Sequence, residues 1–293
     1  MTQEIRKVGV CGAGGTMGAG IAIVTARAGC ETVCYDLGQD ALDAAAKQSA
    51  GFFSKSVERG KMSGDERDAV LARMRTTTDL GALGDCDLVV EAVFEDLPTK
   101  QKLFGELNAV CAAHTILASN TSTLSITEIA SGSGREDRVV GMHFCLPAQL
   151  MKLIEMSAGM NTSQQTFDAA WAFAERAGQT PVKTQDKPGF ILNALLVPFN
   201  NDVIRAVEAG VASPADIDTA IKTALGYKMG PCELLDLIGL DTQLRLCEAF
   251  YPVTLDVRSS APPLLRRMVA AGHLGRKSGR GFYRYEGNTM FGG

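Results

Sequence analysis

Along the first two-thirds of the chain, short apolar runs alternate with helical periods; in the last third only the helical period remains. Lys7-Val8-Gly9-Val10-Cys11 reads as a strand, followed by a helical pattern over Ile21–Ala28 that Gly29 closes. Further strands are expected at Thr32–Tyr35, Asp87–Val93, Thr115–Ser119, Val139–Met142, Leu153–Met156 and Pro181–Thr184. Helices are expected at about Ala41–Arg59, Lys100–Ala109, Ser125–Ala130 and Ala158–Ala177. Asp186-Lys187-Pro188-Gly189 gathers turn residues between the two regimes and marks a boundary, giving domains 1–187 and 188–293. Beyond it come helices at about Ile191–Glu208, Pro214–Ala224, Leu234–Phe250 and Leu264–Ala271, with almost no strand pattern. Ser213 caps the second of these and Pro214 sits at its first position. Their apolar faces exceed what one small bundle can hide, so a homodimer formed through this half is expected.

Composition narrows the class. A length of 293 residues with 46% hydrophobic and 21% charged positions fits two domains, each able to bury a core. The formal net charge of −4 offers no global field for nucleic acid. No apolar run reaches the ~18 residues that span a membrane. Eight cysteines stand singly, without C-x-x-C pairs or zinc-like spacing, and no signal peptide is visible; both point to reduced thiols in a cytoplasm and to no bound metal.

The first chemistry lies at the start. The strand ending at Cys11 runs into Gly12-Ala13-Gly14-Gly15-Thr16-Met17-Gly18, then the helix, then a strand ending at Asp36. Strand, glycine turn, helix, strand and acid is the order of a dinucleotide-binding unit. Glycines let the backbone approach a pyrophosphate, and the helix N-terminus presents unpaired N–H donors to it. Asp36 can accept from both ribose hydroxyls and would repel a 2′-phosphate, which favours NAD over NADP. The fold class is therefore an α/β Rossmann-type N-terminal domain followed by an all-α C-terminal domain. The spacing G-x-G-x-x-x-G is one residue longer than usual. Either one residue is inserted, or Ala13 and Gly15 take over the first two roles.

The second chemistry centres on one of only three histidines. His143 ends the Val139–Met142 strand, Pro147 stops that strand, and Glu155 sits on the next. This pattern suits a general base and its orienting carboxylate; the plain alternative is a core histidine satisfied by a backbone carbonyl. Glu95 and Lys100 follow the Asp87–Val93 strand at the edge where ligands sit in open α/β sheets, although a lysine opening a helix is ordinarily solvated. Ser122, in Asn120-Thr121-Ser122-Thr123, either caps the helix after it or presents its hydroxyl over the strand edge. Lys55, Arg59 and Lys61 answer a helix dipole or meet substrate phosphates. Asn193, near the start of the first C-terminal helix, either reaches back to a cleft between the domains or pairs with neighbouring helices.

Taken together these residues resemble the L-3-hydroxyacyl-CoA dehydrogenase family, of the short kind that includes 3-hydroxybutyryl-CoA dehydrogenase. The resemblance is carried by Thr16–Ala22, Ala118–Ser122, His143-Phe144 with Met151–Glu155, Lys187–Phe190 with Asn193, Met229–Pro231 with Ile238–Asp241, and Leu274–Tyr283, in family order over nearly the whole chain. It implies NAD-dependent oxidation of the 3-hydroxyl of an acyl thioester, or the reverse. By the same analogy His143 is the base, Glu155 orients it, and Ser122 and Asn193 position the substrate's oxygen and thioester. Glu95, Lys100 and Lys277 match positions that touch NAD, and Arg59 falls where the family carries a lysine that contacts CoA. The carrier so implied is CoA, and the same chemistry on an acyl-carrier-protein thioester, or on a longer or dicarboxylic hydroxyacyl-CoA, is the alternative. Three departures stand out: Leu146 where relatives have an asparagine on the nicotinamide side, Ala194 for an arginine, and His273 for a tryptophan. They imply an altered substrate, a slower enzyme or a non-catalytic NAD-binding relative.

Overall fold

Valine and its neighbours dominate the runs that become the central strands, and these are buried on both faces, as a sheet covered by helices on each side requires. The computed structural model describes residues 3–286 and 289–291. The chain divides into two units, Met1–Phe190 and Ile191–Gly293.

The first unit runs β1 (Lys7–Cys11), α1 (Thr16–Arg27), β2 (Glu31–Tyr35), α2 (Gln39–Glu58), α3 (Gly64–Leu71), β3 (Met74–Thr77), β4 (Leu88–Glu91), α4 (Leu97–Val110), β5 (Ile116–Ser119), α5 (Ile126–Ser131), β6 (Val139–Phe144), β7 (Leu153–Ala158), α6 (Gln164–Arg176) and β8 (Thr180–Thr184). The strands form one sheet in the order β3-β2-β1-β4-β5-β6-β7-β8. Neighbours from β3 to β6 are parallel; β7 turns back antiparallel to β6, and β8 follows β7. Alternate side chains feed two cores. Val8, Val10, Leu88 and Val90 pack with Ile21 and Phe173 on one side. Val33, Val89 and Leu117 pack with Phe104 and Ile129 on the other. Each large side chain so enclosed contributes roughly 1.5–3 kcal/mol. The strand order reverses between β1 and β4, which opens a crevice at their C-terminal ends.

The sequence reading missed α3 and β3. The capping box of Ser63 and Glu66 opens α3, but its mostly charged surface hides the period. The helix expected from Ala158 starts only at Gln164, because β7 runs through Ala158 and Ser163 supplies the cap. Phe190 still belongs to the core of the first unit, three residues beyond the sequence boundary.

The second unit contains α7 (Leu192–Glu208), α8 (Pro214–Leu225), α9 (Pro231–Ile238), α10 (Leu240–Thr254) and α11 (Pro263–Ala270) around a core that includes Ile204, Leu235, Leu240 and Phe250. The single helix expected over Leu234–Phe250 is broken at Gly239, whose φ of +96° only glycine adopts without strain. Two short antiparallel strands, β9 (Arg284–Glu286) and β10 (Thr289–Phe291), add strand content where helix alone was expected.

Candidate active site

The glycine turn follows β1. Gly12 has φ +78°, and a Cβ there would lie 2.6 Å from the Ala92 carbonyl oxygen. A Cβ on Gly18 would come 2.1 Å from the Gly12 carbonyl oxygen. Gly12 thus makes the tight turn and Gly18 the close helix–turn contact, so those two keep their usual tasks and the extra residue is absorbed between them. Helix α1 begins at Thr16 after Gly15, with no side-chain cap. Helix geometry leaves the first amides, Thr16, Met17 and Gly18, without intrahelical acceptors. Asp36 directly follows β2 and accepts from the Gly14 N–H at 2.9 Å, tying the acid to the turn. Gly12, Gly14, Gly15 and Asp36 border a groove of about 650 Å³. Its other walls include Leu37 and Phe94, 86% and 87% exposed, which the sequence reading passed over. A large apolar side chain directly after a strand-ending acid was the available signal.

Farther along the same sheet edge, the β6–β7 register places His143 opposite Glu155. His143 Nδ1 lies 2.8 Å from Glu155 Oε2, and His143 Nε2 lies 3.1 Å from Ser122 Oγ. An ionised carboxylate can only accept, so Nδ1 carries the proton and Nε2 faces Ser122 as an acceptor. Glu155 is fully buried, while His143 keeps 7% of its surface. The core-histidine alternative is thereby replaced: the partner is a carboxylate, not a backbone carbonyl. Ser122 does not cap the following helix either; Ser125 does. The ring of Phe190, a residue with φ +49°, packs 5.5 Å from the imidazole. Phe190, from the Lys187–Phe190 motif, and Asp186, from the boundary turn, whose carboxylate receives the Ile126 and Thr127 N–H groups, were not expected at the site.

The loop carrying Ser122 is held from below. Glu95 Oε1 accepts from Thr121 Oγ1 and the Ser122 N–H, both at 2.7 Å, and from the Thr123 N–H at 2.8 Å. Burial pushes the Glu95 carboxyl upward, but Lys100 and these donors outweigh it and hold the group below its usual value. Lys100 is not solvated: it is 1% exposed and its ammonium meets Glu91 at 2.5 Å and Glu95 at 3.3 Å. Burial pushes the Glu91 carboxyl up, against the pull of Lys100 and Ser119.

Arg59 is exposed and lines a second groove of about 500 Å³ with Arg27, Lys55, Lys61 and Lys152. In the second unit, Asn193 lies half-buried in the first turn of α7, and Lys277 pairs with Asp241 at 2.5 Å. Leu146 is 60% exposed just past β6.

Comparison with known proteins bears on this geometry. The family description "3-hydroxyacyl-CoA dehydrogenase, NAD binding domain" matches residues 7–187, and "3-hydroxyacyl-CoA dehydrogenase, C-terminal domain" matches residues 189–285. The chain belongs to the 3-hydroxyacyl-CoA dehydrogenase family. Within it, a probable 3-hydroxybutyryl-CoA dehydrogenase of Bacillus subtilis is 42% identical over 98% of this chain and 100% of its own length. The crystal structure of M. tuberculosis FadB2 has a TM-score of 0.93 at 40% identity, covering 97% of this chain and 100% of that one. That of an (S)-3-hydroxybutyryl-CoA dehydrogenase from Ralstonia eutropha has a TM-score of 0.91 at 36% identity, with the same coverages. The glycine turn and Asp36 therefore lie in a 3-hydroxyacyl-CoA dehydrogenase NAD binding domain, and no helix of the described residues is long and apolar enough to cross a membrane.

Proposed function

We propose that this dehydrogenase oxidises a (3S)-3-hydroxyacyl-CoA to the 3-ketoacyl-CoA, or runs the reverse reduction, with His143 as general base and Glu155 as its orienting partner. The observation that carries the reading is the line Ser122 Oγ, His143, Glu155, with an acceptor nitrogen at its open end and a buried anion at its closed one. The residues present fit NAD: a glycine turn with no room for a Cβ at Gly12 or Gly18, an uncapped helix start, and an acid tied to that turn. Gly12, Gly14, Gly15, Thr16, Met17 and Gly18 would hold its pyrophosphate and Asp36 its ribose. Bound NAD supplies the hydride acceptor. His143 Nε2 takes the hydroxyl proton as hydride leaves C3. Glu155 keeps the imidazole in the tautomer that can accept, and stabilises the imidazolium that forms. Ser122 shares its hydroxyl between Nε2 and the substrate oxygen, and Asn193 orients the thioester.

The C-terminal domain, residues 188–293, serves as the substrate and dimerisation domain, and Lys277 is its contribution to the cofactor. Its exposed Leu195, Val211, Tyr227, Val253 and Leu255 favour a homodimer. The cations around Arg59 suit the phosphates of a CoA carrier. Eight free, buried cysteines suit a reducing cytoplasm.

The test is NADH oxidation with acetoacetyl-CoA, a longer 3-ketoacyl-CoA and a 3-ketoacyl acyl-carrier-protein thioester. Turnover of a CoA substrate is expected, lost in His143→Gln with NADH binding retained. Equal rates in wild type and His143→Gln reject the base assignment. Turnover with the carrier-protein thioester alone moves the substrate class to that carrier. No turnover with any of the three, beside tight NADH binding, favours a non-catalytic relative.

A further inference from the structure

We infer that Phe190 is a positioning residue for His143: its ring, seated by a strained turn, fixes the plane of the imidazole between Glu155 and Ser122. The inference rests on the reading of His143 as the base.

Two contacts hold the edges of the imidazole, Glu155 at Nδ1 and Ser122 at Nε2. They leave the plane of the ring to be settled, because the torsion that turns a histidine ring is broad and has no sharp well of its own. A ring tipped about its two hydrogen bonds keeps its partners but no longer aims its lone pair at a substrate hydroxyl. Reacting groups must be held within about 0.5 Å and 10–20° of the productive geometry. Phe190 supplies the third contact. Its ring centroid lies 5.5 Å from that of the imidazole, with 40° between the planes, inside the range of favourable aromatic pairs. Phe190 is 7% exposed and belongs to the core that includes Ile126 and Ile129, so the ring has close-packed support behind it.

The backbone opposes that placement. Phe190 has φ +49° and directly follows Gly189 at φ +80°. Glycine adopts the first of these without penalty, but a bulky side chain at the second is an outlier. Conformations of this kind persist only where the surroundings over-determine them, and they gather at functional sites. Here the surroundings do so. The Phe190 N–H donates to the Lys187 carbonyl at 3.0 Å, and the Gly189 N–H donates to the Ser122 carbonyl at 3.1 Å. Asp186, which opens the turn, accepts from the Ile126 and Thr127 N–H groups and from the Ser125 and Thr127 hydroxyls, all between 2.6 and 2.9 Å. The turn is thus bolted to the segment that carries Ser122. Returning φ of Phe190 from +49° to about −60° is a rotation of about 110° about N–Cα, which swings Cβ and the ring off the imidazole. A turn that only redirected the chain would be relaxed by glycine at both positions, and a side chain that only filled the core needs no strained backbone. The strain has a use where the place of the ring matters, and the ring lies on the imidazole.

The experiment compares Phe190→Leu, which keeps an apolar side chain without a flat ring, and Phe190→Gly, which relaxes the backbone and removes the ring. Four quantities are read: kcat for acetoacetyl-CoA at saturating NADH, NADH Kd, melting temperature, and hydrogen exchange of the His143 Nδ1–H by NMR of histidine-labelled protein. With three histidines in the chain, and His114 and His273 less buried, the His143 signal stands apart. In Phe190→Leu the melting temperature is expected to fall by about 2–6 °C, while kcat falls by about 10- to 100-fold, the scale of a misplacement of up to about 1 Å. NADH Kd is expected to stay within about threefold of wild type, and the Nδ1–H to exchange at least about tenfold faster. Phe190→Gly is expected to lose at least as much kcat in spite of its relaxed backbone. A kcat within about threefold of wild type in Phe190→Leu shows a plain core residue and overturns the inference. Wild-type kcat in Phe190→Gly shows that the turn suffices without the ring and overturns it too; should that variant fail to fold, Phe190→Leu decides alone. A tenfold rise of NADH Kd with kcat unchanged shows a cofactor contact and overturns it equally. Unchanged Nδ1–H exchange in Phe190→Leu overturns it whether or not acetoacetyl-CoA is a substrate. Failure of wild type to turn over any CoA thioester, with Nδ1–H exchange faster in Phe190→Leu, rejects the enzyme reading and leaves the positioning of the imidazole standing.

Discussion

Replacing Glu155 by glutamine isolates what the carboxylate's charge does, since the side chain keeps its length and shape. The carboxylate is fully buried, 2.8 Å from His143 Nδ1. When the imidazole takes the substrate proton, a positive charge forms about 4 Å from the centre of that anion, worth about 4 kcal/mol at an effective dielectric constant of about 20. A neutral amide oxygen in the same place returns about 1 kcal/mol as an ordinary hydrogen bond. The difference of about 3 kcal/mol corresponds to a rate loss of about 100- to 200-fold. Glutamine can also turn its NH₂ toward Nδ1 and favour the tautomer whose Nε2 carries the proton and cannot accept; an exchange of this kind costs a serine-protease triad ~10⁴-fold. The expected fall in kcat therefore lies between about 10² and 10⁴. The assay is steady-state NADH oxidation by acetoacetyl-CoA, with NADH Kd measured separately. Because the variant leaves the overall equilibrium alone, kcat/KM must fall by the same factor in the oxidative as in the reductive direction. A kcat within about threefold of wild type would mean that the imidazole works without the anion, and the proposed division of roles would be wrong.

The acid at the ribose end is tested by Asp36→Ala. Loss of hydrogen bonds to a charged acceptor should weaken NAD use by about 10- to 100-fold and raise NADP use relative to it, and equal selectivity before and after would reject the assignment. Gly18→Ala should lower stability by about 1–3 kcal/mol and weaken NADH binding, because its Cβ would sit 2.1 Å from the Gly12 carbonyl oxygen; an unchanged melting curve would contradict the turn geometry. Lys100 and the loop donors hold Glu95 below its usual 4.5 against the upward push of burial, so its contribution is complete above about pH 4.5 and is lost as pH falls through the lower folded value. Thermal melts from pH 6 to 3 should show that acid loss in wild type and a shallower one in Glu95→Gln; identical slopes would remove Glu95 from the account. Burial pushes the Cys145 thiol up to about 11 and the Cys34 thiol up to about 12. The native protein at pH 8 should therefore react with a disulfide reagent at least about 100-fold slower than free cysteine, and rapid modification of Cys145 would place it outside the strand edge described.

How much of this was legible depended on whether a residue's partners lie close in sequence. The β1–α1–β2 unit could be read because strand, glycines, helix and Asp36 fall within 30 residues. His143 and Glu155 could be paired because a short return between two apolar runs brings them opposite, although only the antiparallel register fixes them side by side. Where a local rule spoke against the fold, the reading failed. Gly239 sits inside an unbroken apolar period, yet its positive φ ends one helix and begins the next. Lys100 opens a helix, where lysine is ordinarily solvated, and only the folded sheet edge brings Glu91 and Glu95 to it. The missed clue was Glu91 itself: a carboxylate inside Leu88-Val89-Val90-Glu91 cannot be buried without a cation. The extra residue of the glycine turn was visible, but whether Gly12 kept its task needed the Ala92 carbonyl, just past a strand some 80 positions away.

The buried polar groups also weigh on the choice between a working enzyme and a retired scaffold. Leu146, 60% exposed beyond β6, cannot form a hydrogen bond through its side chain, and taken alone it speaks for lost chemistry. Against it stands a chain of groups whose burial serves no packing purpose. Glu155, Glu91 and Lys100 are at most 1% exposed, and ions so enclosed cost several kcal/mol each unless every lone pair and proton is matched. The bonds that hold them lead from Lys100 through Glu95 to the Ser122 N–H, and from Glu155 through His143 to the Ser122 hydroxyl. A scaffold needing only to bind NAD could do so with its glycine turn and Asp36, at the far side of the sheet edge, and would gain stability from apolar side chains at these positions. Two independent supports converging on one serine–histidine contact are what proton transfer requires, so Leu146 is better read as a change in what the site accepts than as the end of its chemistry.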